Sequence, residues 1–378
     1  MDFSLTEEQQ AVKDLSARLS SEIATHESMR AMELDRDPNG PFDARLWKEL
    51  AGAGLLGLEV DEAQGGAGLD FVATAEVIRQ LGLTAAYVPY SEQTQLAIAP
   101  IYLFGKADQQ ATYLPGLLDG SVLGTGALME DRGARVDRGT VAPKTTATAD
   151  GDGFLLNGVK ACVPGGLRAN LVLIPAMLDG TVTVFVVDTT LPGVTVTKQM
   201  ATWTEEAHIA LENVRVGAAA LLGGSSSNGS AIVSSMVDRY TVALCCLEAG
   251  ATAASLKLAA EYTKTREQFG KAIATFQAVG QRVADAYVDA EAISLTALQA
   301  SSRIAEGLEA TKEIAAAKYW ASEGADRVVH ACVHVHGGVG VDRDYPLHRY
   351  FMLTRQLLVT LGGPTDQLRT IGAALASA

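Results

Sequence analysis

Cysteine, proline and aromatic residues are all scarce in this chain of 378 residues, which holds 4 Cys, 11 Pro and 6% Phe, Trp and Tyr. The cysteines (Cys162, Cys245, Cys246, Cys332) never fall at C-x-x-C spacing, and they are too few in too long a chain for a disulfide framework. Buried free thiols are expected instead. Positive charge is also in deficit: a formal charge of −14 with no basic stripe would repel phosphates, so nucleic acid is disfavoured as a partner. Unbroken apolar runs such as LVLIPAML at 171–178 are far too short to cross a bilayer. The start, MDFSLTEEQQ, lacks a basic region followed by an apolar one, so a cytoplasmic protein with no membrane association is expected. The 6 histidines form no metal-ligand constellation, and no metal is expected. What is present is the composition of a globular protein, 48% hydrophobic and 20% charged, with a length that suits two or three domains.

From Thr6 to about His26 apolar residues recur at helical spacing (Val12, Leu15, Leu19, Ile23), with Thr6 as cap and Glu7 and Glu8 in the first turn. Further helices are predicted from Asp43 to Ala53, ending at Gly54, from about Asp70 to Leu81, and over 92–104 and 107–118. The texture changes near Ser121. Over 121–225 short runs rich in Val, Leu, Thr and Phe alternate with turn clusters such as Asp150-Gly151-Asp152-Gly153 and Asn157-Gly158, which predicts a small β barrel or sandwich. GGSSSNG at 223–229 reads as a flexible connector. Four long helices are then expected at 230–265, 276–304, 308–334 and 346–375, with breaks at Gly307 and Gly337-Gly338. The expected organisation is an amino-terminal α-helical domain (1–120), a middle β domain (121–225) and a carboxyl-terminal helical bundle (226–378).

The chain is organised around Glu261 to Gln281, EYTKTREQFGKAIATFQAVGQ, which reads as a long helix, a sharp break at Phe269-Gly270-Lys271 and a second helix from near Thr275. Gly270 permits the break because it lacks a Cβ. Arg266 falls in the last turn and Phe269 closes it, so a guanidinium and a ring are expected together at a helix corner, a pairing suited to a phosphate and a flat base. A charged helix end beside a core Phe would have the same sequence.

The string from Arg266 through Phe269, Gly270 and Phe276 to Gln277 resembles the flavin-binding signature of the acyl-CoA dehydrogenase family, and the resemblance runs from TEEQQ near the start to GGPTDQLR near the end. It implies that family's fold, a helical domain, a β barrel or sandwich and a four-helix bundle, and FAD as cofactor. In the family the corner usually reaches across a subunit interface to the pyrophosphate and adenine side of a flavin held mainly by the neighbour. His334-Val335-His336-Gly337-Gly338-Val339-Gly340 resembles the family's Gln-x-x-Gly-Gly-x-Gly, with His334 where glutamine is usual. A helix cap and turn is the alternative account of its glycines. The resemblance thus implies Arg266, Phe269, Gln277, His334, Gly337 and Gly338 as cofactor-binding residues. It also implies the reaction: a carboxylate takes the proton next to a thioester carbonyl while the flavin accepts hydride from the adjacent carbon.

The chain departs from the family where that chemistry needs residues. The usual glutamate position is Gly362, in Gly362-Gly363-Pro364-Thr365-Asp366, and the alternative position on the first long helix of the bundle is Tyr240, followed by Thr241 where an arginine is usual. No catalytic residue is therefore assigned. Nearby acids are Asp238 and Glu248, ten positions apart, whose directions on one helix differ by roughly 80°. Glu248 lies in an apolar stretch where a carboxylate must find a partner or shift its pKa upward. On the flavin-ring side, Leu128-Met129-Glu130-Asp131 and RGARVDRG replace a threonine- and serine-bearing loop, and Val163-Pro164-Gly165 replaces an Ile-Thr-Asn-like strand. Pro164 brings neither hydroxyl nor N–H. One half of a shared site is kept and the other lost. The chain therefore resembles the non-catalytic member of an actinobacterial α2β2 acyl-CoA dehydrogenase of the steroid side-chain type. That implies a homologous catalytic partner, an acyl-CoA substrate and an electron-transfer flavoprotein-like acceptor. A self-sufficient enzyme using Glu248 or Asp238, and a flavin-free scaffold or acyl-CoA binder, stay open as alternatives.

Overall fold

The computed structural model describes residues 3–35, 37–130, 134–135 and 142–376. In chain order the helices are α1 (Glu7–Ile23), α2 (His26–Asp35), α3 (Ala44–Gly52), α4 (Phe71–Thr84), α5 (Tyr90–Glu92), α6 (Ala99–Phe104) and α7 (Ala107–Leu118). After the strands come α8 (Gly229–Thr265), α9 (Gln277–Ala305), α10 (Thr311–Tyr319), α11 (Ala325–His336), α12 (Leu347–Val359) and α13 (Pro364–Ala376). They fold as two compact units, one of Met1–Arg36, Asp70–Tyr87 and Thr241–Ala378, the other of Asp37–Leu69 and Val88–Tyr240.

The first unit is helical. Thr6 and Gln9 close a reciprocal cap on α1, each side chain meeting the other's backbone N–H, at 3.2 and 2.9 Å. Asp70 caps α4 through Ala73 N at 3.2 Å. Helix α2 was not expected from sequence; Met29 is its one fully buried side chain, so it carries almost no apolar stripe. Gly82 of α4 and Gly250 of α8 let these two helices touch, since a Cβ on either would lie 2.1 Å from a carbonyl oxygen of the other helix. The helix expected over 308–334 begins at Thr311, after Gly307 turns with φ 65°, and carries a π segment, Trp320–Gly324, between α10 and α11. The helix expected over 346–375 is two, α12 and α13, because Leu361 and Gly362 take left-handed φ values of 57° and 96°.

The second unit packs α3, α5, α6 and α7 with a curled sheet. Its strands are β1 (Gly124–Gly126), β2 (Met129–Glu130), β3 (Ala134–Arg135), β4 (Thr146–Asp150) and β5 (Gly153–Val163). They continue as β6 (Leu171–Leu178), β7 (Thr181–Asp188), β8 (Val194–Gln199) and β9 (Glu206–Gly217). Among the described residues the order is β1-β6-β4-β5-β2-β3, with β7 on β6, β9 on β5 and β8 on β9. β1 and β4 pair parallel to β6, and the other pairs are antiparallel. Alternate residues (Leu156, Val172, Ile174, Phe185, Ile209, Leu211) fill its core. Lys160, fully buried, spans from β5 to Glu130 Oε1 and to Pro175 O, both at 2.7 Å. The rest of that carboxylate is satisfied by Lys144 N, Thr145 N and the Thr145 hydroxyl. Gln93 begins a π segment, Gln93–Ile98, and bonds Leu117 O, Val122 O and Gly124 N, which ties the helices to the sheet edge.

One composition-based expectation is corrected. Cys245, Cys246 and Cys332 are buried thiols, but Cys162 is half-buried, at φ 50° beside the irregularity in β5. Although no unbroken apolar run is long, an 18-residue window of the helical stretch Ser226–Thr265 reaches a mean hydropathy of 1.4, enough by length and composition to cross a membrane. Of that window 67% is buried against the protein, which is the pattern of a core helix.

Candidate functional site

The expected helix corner is a β-hairpin. α8 stops at Thr265, and the Arg266 N–H still donates to Tyr262 O at 2.9 Å. Two-residue strands β10 (Glu267–Gln268) and β11 (Lys271–Ala272) then pair antiparallel. Between them Phe269 and Gly270 both take left-handed φ, 55° and 76°, as a two-residue hairpin turn of the primed type requires. This is why Phe269 is thrust outward, 92% exposed, with its ring edge-on to Phe276 at 6.1 Å. Lys271 covers the Phe276 ring at 4.5 Å. Helix α9 follows with Gln277 as its first residue, and no side chain caps its amino terminus. The N–H groups of Val279 and Gly280 already donate to Phe276 O, each at 3.0 Å, and a helix start with no side-chain cap favours anions at the N–H groups before them. Arg266 and Gln277 are both exposed.

The glycine string lies at the end of α11. Gly337 leaves the helix with φ 62°, and a Cβ at Gly337 or Gly338 would find nothing within 4 Å, so this backbone is open to close approach. His336, the last helical residue, is 3% exposed and faces inward. Its Nδ1–H donates to Cys332 O at 2.7 Å, which leaves Nε2 as acceptor for the Tyr345 hydroxyl at 3.1 Å. Burial lowers its pKa, in keeping with a neutral ring. Tyr262 stacks on this imidazole at 4.3 Å, so the end of α8 that carries the hairpin is held to the end of α11 that carries the glycines. His334 is exposed, and its Nδ1 meets Arg282 Nη1 of α9 at 2.5 Å. The structure thus brings three element ends together: the hairpin with Arg266 and Phe269, the start of α9 with Gln277, and the turn with His334, Gly337 and Gly338. Tyr262, Arg282 and His336, which make the ties, were missed from sequence. A tyrosine one turn before Arg266 and a second histidine beside the glycines were the available signals.

The two base positions hold no free acid. Gly362 sits in the break between α12 and α13 at φ 96°. Tyr240, 3% exposed, donates its hydroxyl to Glu92 Oε1 at 2.7 Å. Burial pushes the Glu92 carboxyl above the usual carboxylate range, with the Tyr240 hydrogen bond opposing. Asp238 is half-buried on α8. Glu248 is fully buried: the Thr354 hydroxyl donates to Oε1 at 2.5 Å, while Oε2 has no hydrogen-bond partner. Burial raises its pKa to about 8. On the sheet, Pro164 O accepts the Thr125 hydroxyl at 2.7 Å, and Met129 offers no hydrogen-bond donor. Asp131, and residues 132–133 and 136–139 of the loop string, lie outside the described residues. Also among the described residues, no group of three His, Cys, Asp or Glu is placed to hold a metal ion.

A guanidinium, an uncapped helix start and an open glycine turn together suit an anionic ligand. Family profiles match residues 6–121 (acyl-CoA dehydrogenase, N-terminal domain), 127–214 (middle domain) and 227–376 (C-terminal domain). The chain belongs to the acyl-CoA dehydrogenase family, whose cofactor is FAD. It is 38% identical to acyl-CoA dehydrogenase FadE27 of Mycobacterium tuberculosis, over 100% of this chain and 99% of that one. Among solved structures it is similar to the ChsE4-ChsE5 complex of Mycobacterium tuberculosis, with 36% identity, 100% of each chain covered and a TM-score of 0.92. The Tcur3481-Tcur3483 steroid ACAD G363A variant gives 36% identity, 98% of each chain and a TM-score of 0.88. The residues above fit the adenine and pyrophosphate end of FAD; Met129 and Pro164 do not fit its ring.

Proposed function

We propose that this chain is the non-catalytic subunit of a flavin-dependent acyl-CoA dehydrogenase, assembled with a homologous catalytic chain as an α2β2 heterotetramer. The observation that carries the reading is the pair of empty base positions: Gly362 has no side chain, and Tyr240 has its hydroxyl engaged by Glu92. Phenol is a poor base near neutral pH in any case. Against that loss stands the intact set of donors at the nucleotide end.

When bound, FAD supplies the acceptor for the hydride that leaves the acyl β-carbon. The residues of this chain bind and orient. Arg266 offers a planar fork to phosphate oxygens, the first turn of α9 adds N–H groups, and Gly337 and Gly338 let the backbone come close. Phe269 would pack against the base, while Gln277 and His334 would donate at its edge or to the phosphates. The partner's carboxylate takes the α-proton, and the partner supplies the pocket for the flavin ring. Likeness to the ChsE4-ChsE5 complex and to a complex called a steroid ACAD supports a paired assembly and a CoA ester of a steroid side chain as substrate. An electron-transfer flavoprotein-like acceptor would take up the electrons. Purified alone, the chain is expected to carry little flavin and no dehydrogenase activity, and co-expression with the partner restores both. A yellow, active homotetramer of this chain would refute the reading.

A further inference from the structure

We propose that Tyr240 and Glu92 form a plug that keeps an acyl chain out of this subunit's own copy of the substrate site, so that the CoA ester is left to the catalytic partner. The inference rests on the function proposed above in one respect, that position 240 is a base position and so faces the acyl α-carbon in relatives that use it. It deepens that reading by naming the residues that decide which subunit can hold substrate.

Four elements of the second unit build the place. Tyr240 ends the part of α8 that belongs to this unit, and one turn before it Met236 is fully buried. Glu92 closes α5, immediately before the π segment Gln93–Ile98, whose Leu96 is buried as well. At Gly126 of β1 a Cβ would lie 2.4 Å from Met236 Cε and 3.3 Å from Leu96 Cβ, so α8, the π segment and the sheet already meet in an apolar layer. One turn further along α8 the Tyr240 ring spans the same gap and delivers its hydroxyl to Glu92 Oε1 at 2.7 Å. The fourth element is the turn after β5, in the stretch that stands where the family has its flavin-ring strand. There a Cβ at Gly165 would lie 3.6 Å from Glu92 Cγ, and Pro164 O is held by the Thr125 hydroxyl at 2.7 Å.

A tie between these elements does not need two polar groups. Glu92 is half-buried, and burial pushes its carboxyl above the usual carboxylate range, with the charge of neighbouring Glu206 adding to the rise. Glu206 is itself 8% exposed, so a second acid is packed beside the first. An apolar pair would hold the elements together at lower cost, because it loses no hydration. What the polar pair does is refuse an apolar ligand. The Tyr240 ring fills the space that substrate would need in front of a base at this position. Behind it Glu92 presents a carboxyl that an acyl chain would strip of water without offering a hydrogen bond in return. Exclusion therefore has two parts, volume from the tyrosine and polarity from the acid.

The test uses the complex with the homologous partner and octanoyl-CoA that carries a photoreactive diazirine on its acyl chain; after irradiation, mass spectrometry of peptides reads the label. In wild type the segments 89–96, 162–166 and 236–240 of this chain should stay unlabelled. Glu92→Ala with Tyr240→Ala should raise the label there about tenfold, whereas Tyr240→Ala alone should not, because the freed carboxyl keeps its water. Glu92→Gln with Tyr240→Phe keeps the volume and should stay unlabelled. A merely structural pair would leave the label low in every variant. Where the double alanine variant loses its thermal midpoint, Glu92→Ala with Tyr240→Leu retains more of the packing and carries the same expectation. Label in the wild-type segments, no label in an opened variant that keeps its midpoint, or equal label in Tyr240→Ala and the double variant overturns the inference alone. A wild-type complex without flavin or activity overturns the proposed function, whichever residues are labelled.

Discussion

Glu248→Gln separates two accounts of the helical unit that differ in sign. Glu248 is fully buried, accepts one hydrogen bond from Thr354 and leaves Oε2 without a partner. Burial raises its pKa from 4.5 to about 8, with Thr354 and the charge of Lys318 working against the rise. A carboxyl whose folded pKa lies above its unfolded value binds its proton more tightly in the folded state. Its contribution to stability is therefore complete below about pH 4.5 and is lost as pH climbs toward 8. Each pH unit in that window costs about 1.4 kcal/mol, so between pH 5 and pH 8 the wild type should lose on the order of 4 kcal/mol through this group alone.

Glutamine cannot ionise, and the loss should vanish. Denaturant unfolding of wild type and Glu248→Gln at pH 5 and pH 8 gives the difference of two differences, in which a constant cost for the amide, and every other titrating group, cancels. The expected value is on the order of 4 kcal/mol in favour of the variant at the higher pH. The alternative is an ionised Glu248 balanced by the buried Lys318. Breaking such a pair costs about 3–5 kcal/mol at both pH values. An equal loss at pH 5 and pH 8 would refute the protonated-acid account.

Lys160→Met removes the cation that Glu130 faces at 2.7 Å in the sheet and should cost about 3–5 kcal/mol in unfolding free energy, since a buried carboxylate is left behind; the double variant with Glu130→Gln should recover part of it. Gly250→Ala places a Cβ 2.1 Å from Arg79 O and should lower the unfolding free energy by several kcal/mol, read as a drop in the denaturation midpoint. Phe269→Ala, at a ring 92% exposed, should leave the thermal midpoint of the chain unchanged while lowering FAD retained per complex, measured by flavin absorbance. Gly362→Glu should give the isolated chain no dehydrogenase activity and should cost about 1–2 kcal/mol because φ is 96° there.

Local signals in the chain settled a good part of this fold. Thr6, Asp43 and Asp70 cap helices where a short polar residue precedes an apolar period, because a cap is made within four residues of backbone. Alternation of branched residues with turn signals such as Asp150-Gly151-Asp152-Gly153 marked the sheet, whereas Asn157-Gly158, expected as a turn, is an irregularity inside β5; the Arg266 and glycine strings carried the resemblance to a family. The empty base positions were legible for the same reason. What failed locally was the hairpin, whose two-residue strands are too short to carry a period, and the break at Leu361, a residue type that does not announce a left-handed turn.

The tertiary structure alone decided which polar groups meet. Arg282 reaches His334 across 52 positions, Thr354 reaches Glu248 across 106, and Tyr262 stacks on a histidine of another helix. Such pairs leave no periodic trace, since each is chosen by where two helix ends arrive in space. Sequence by itself therefore determined most of the helices, their caps and the central strands; packing determined that Tyr240 turns to Glu92 and that the hairpin, the start of α9 and the glycine turn are tied by an arginine, a tyrosine and two histidines. The physical reason is range: backbone hydrogen bonds close over a few residues, whereas burial and charge act between groups that only folding brings within a few ångströms.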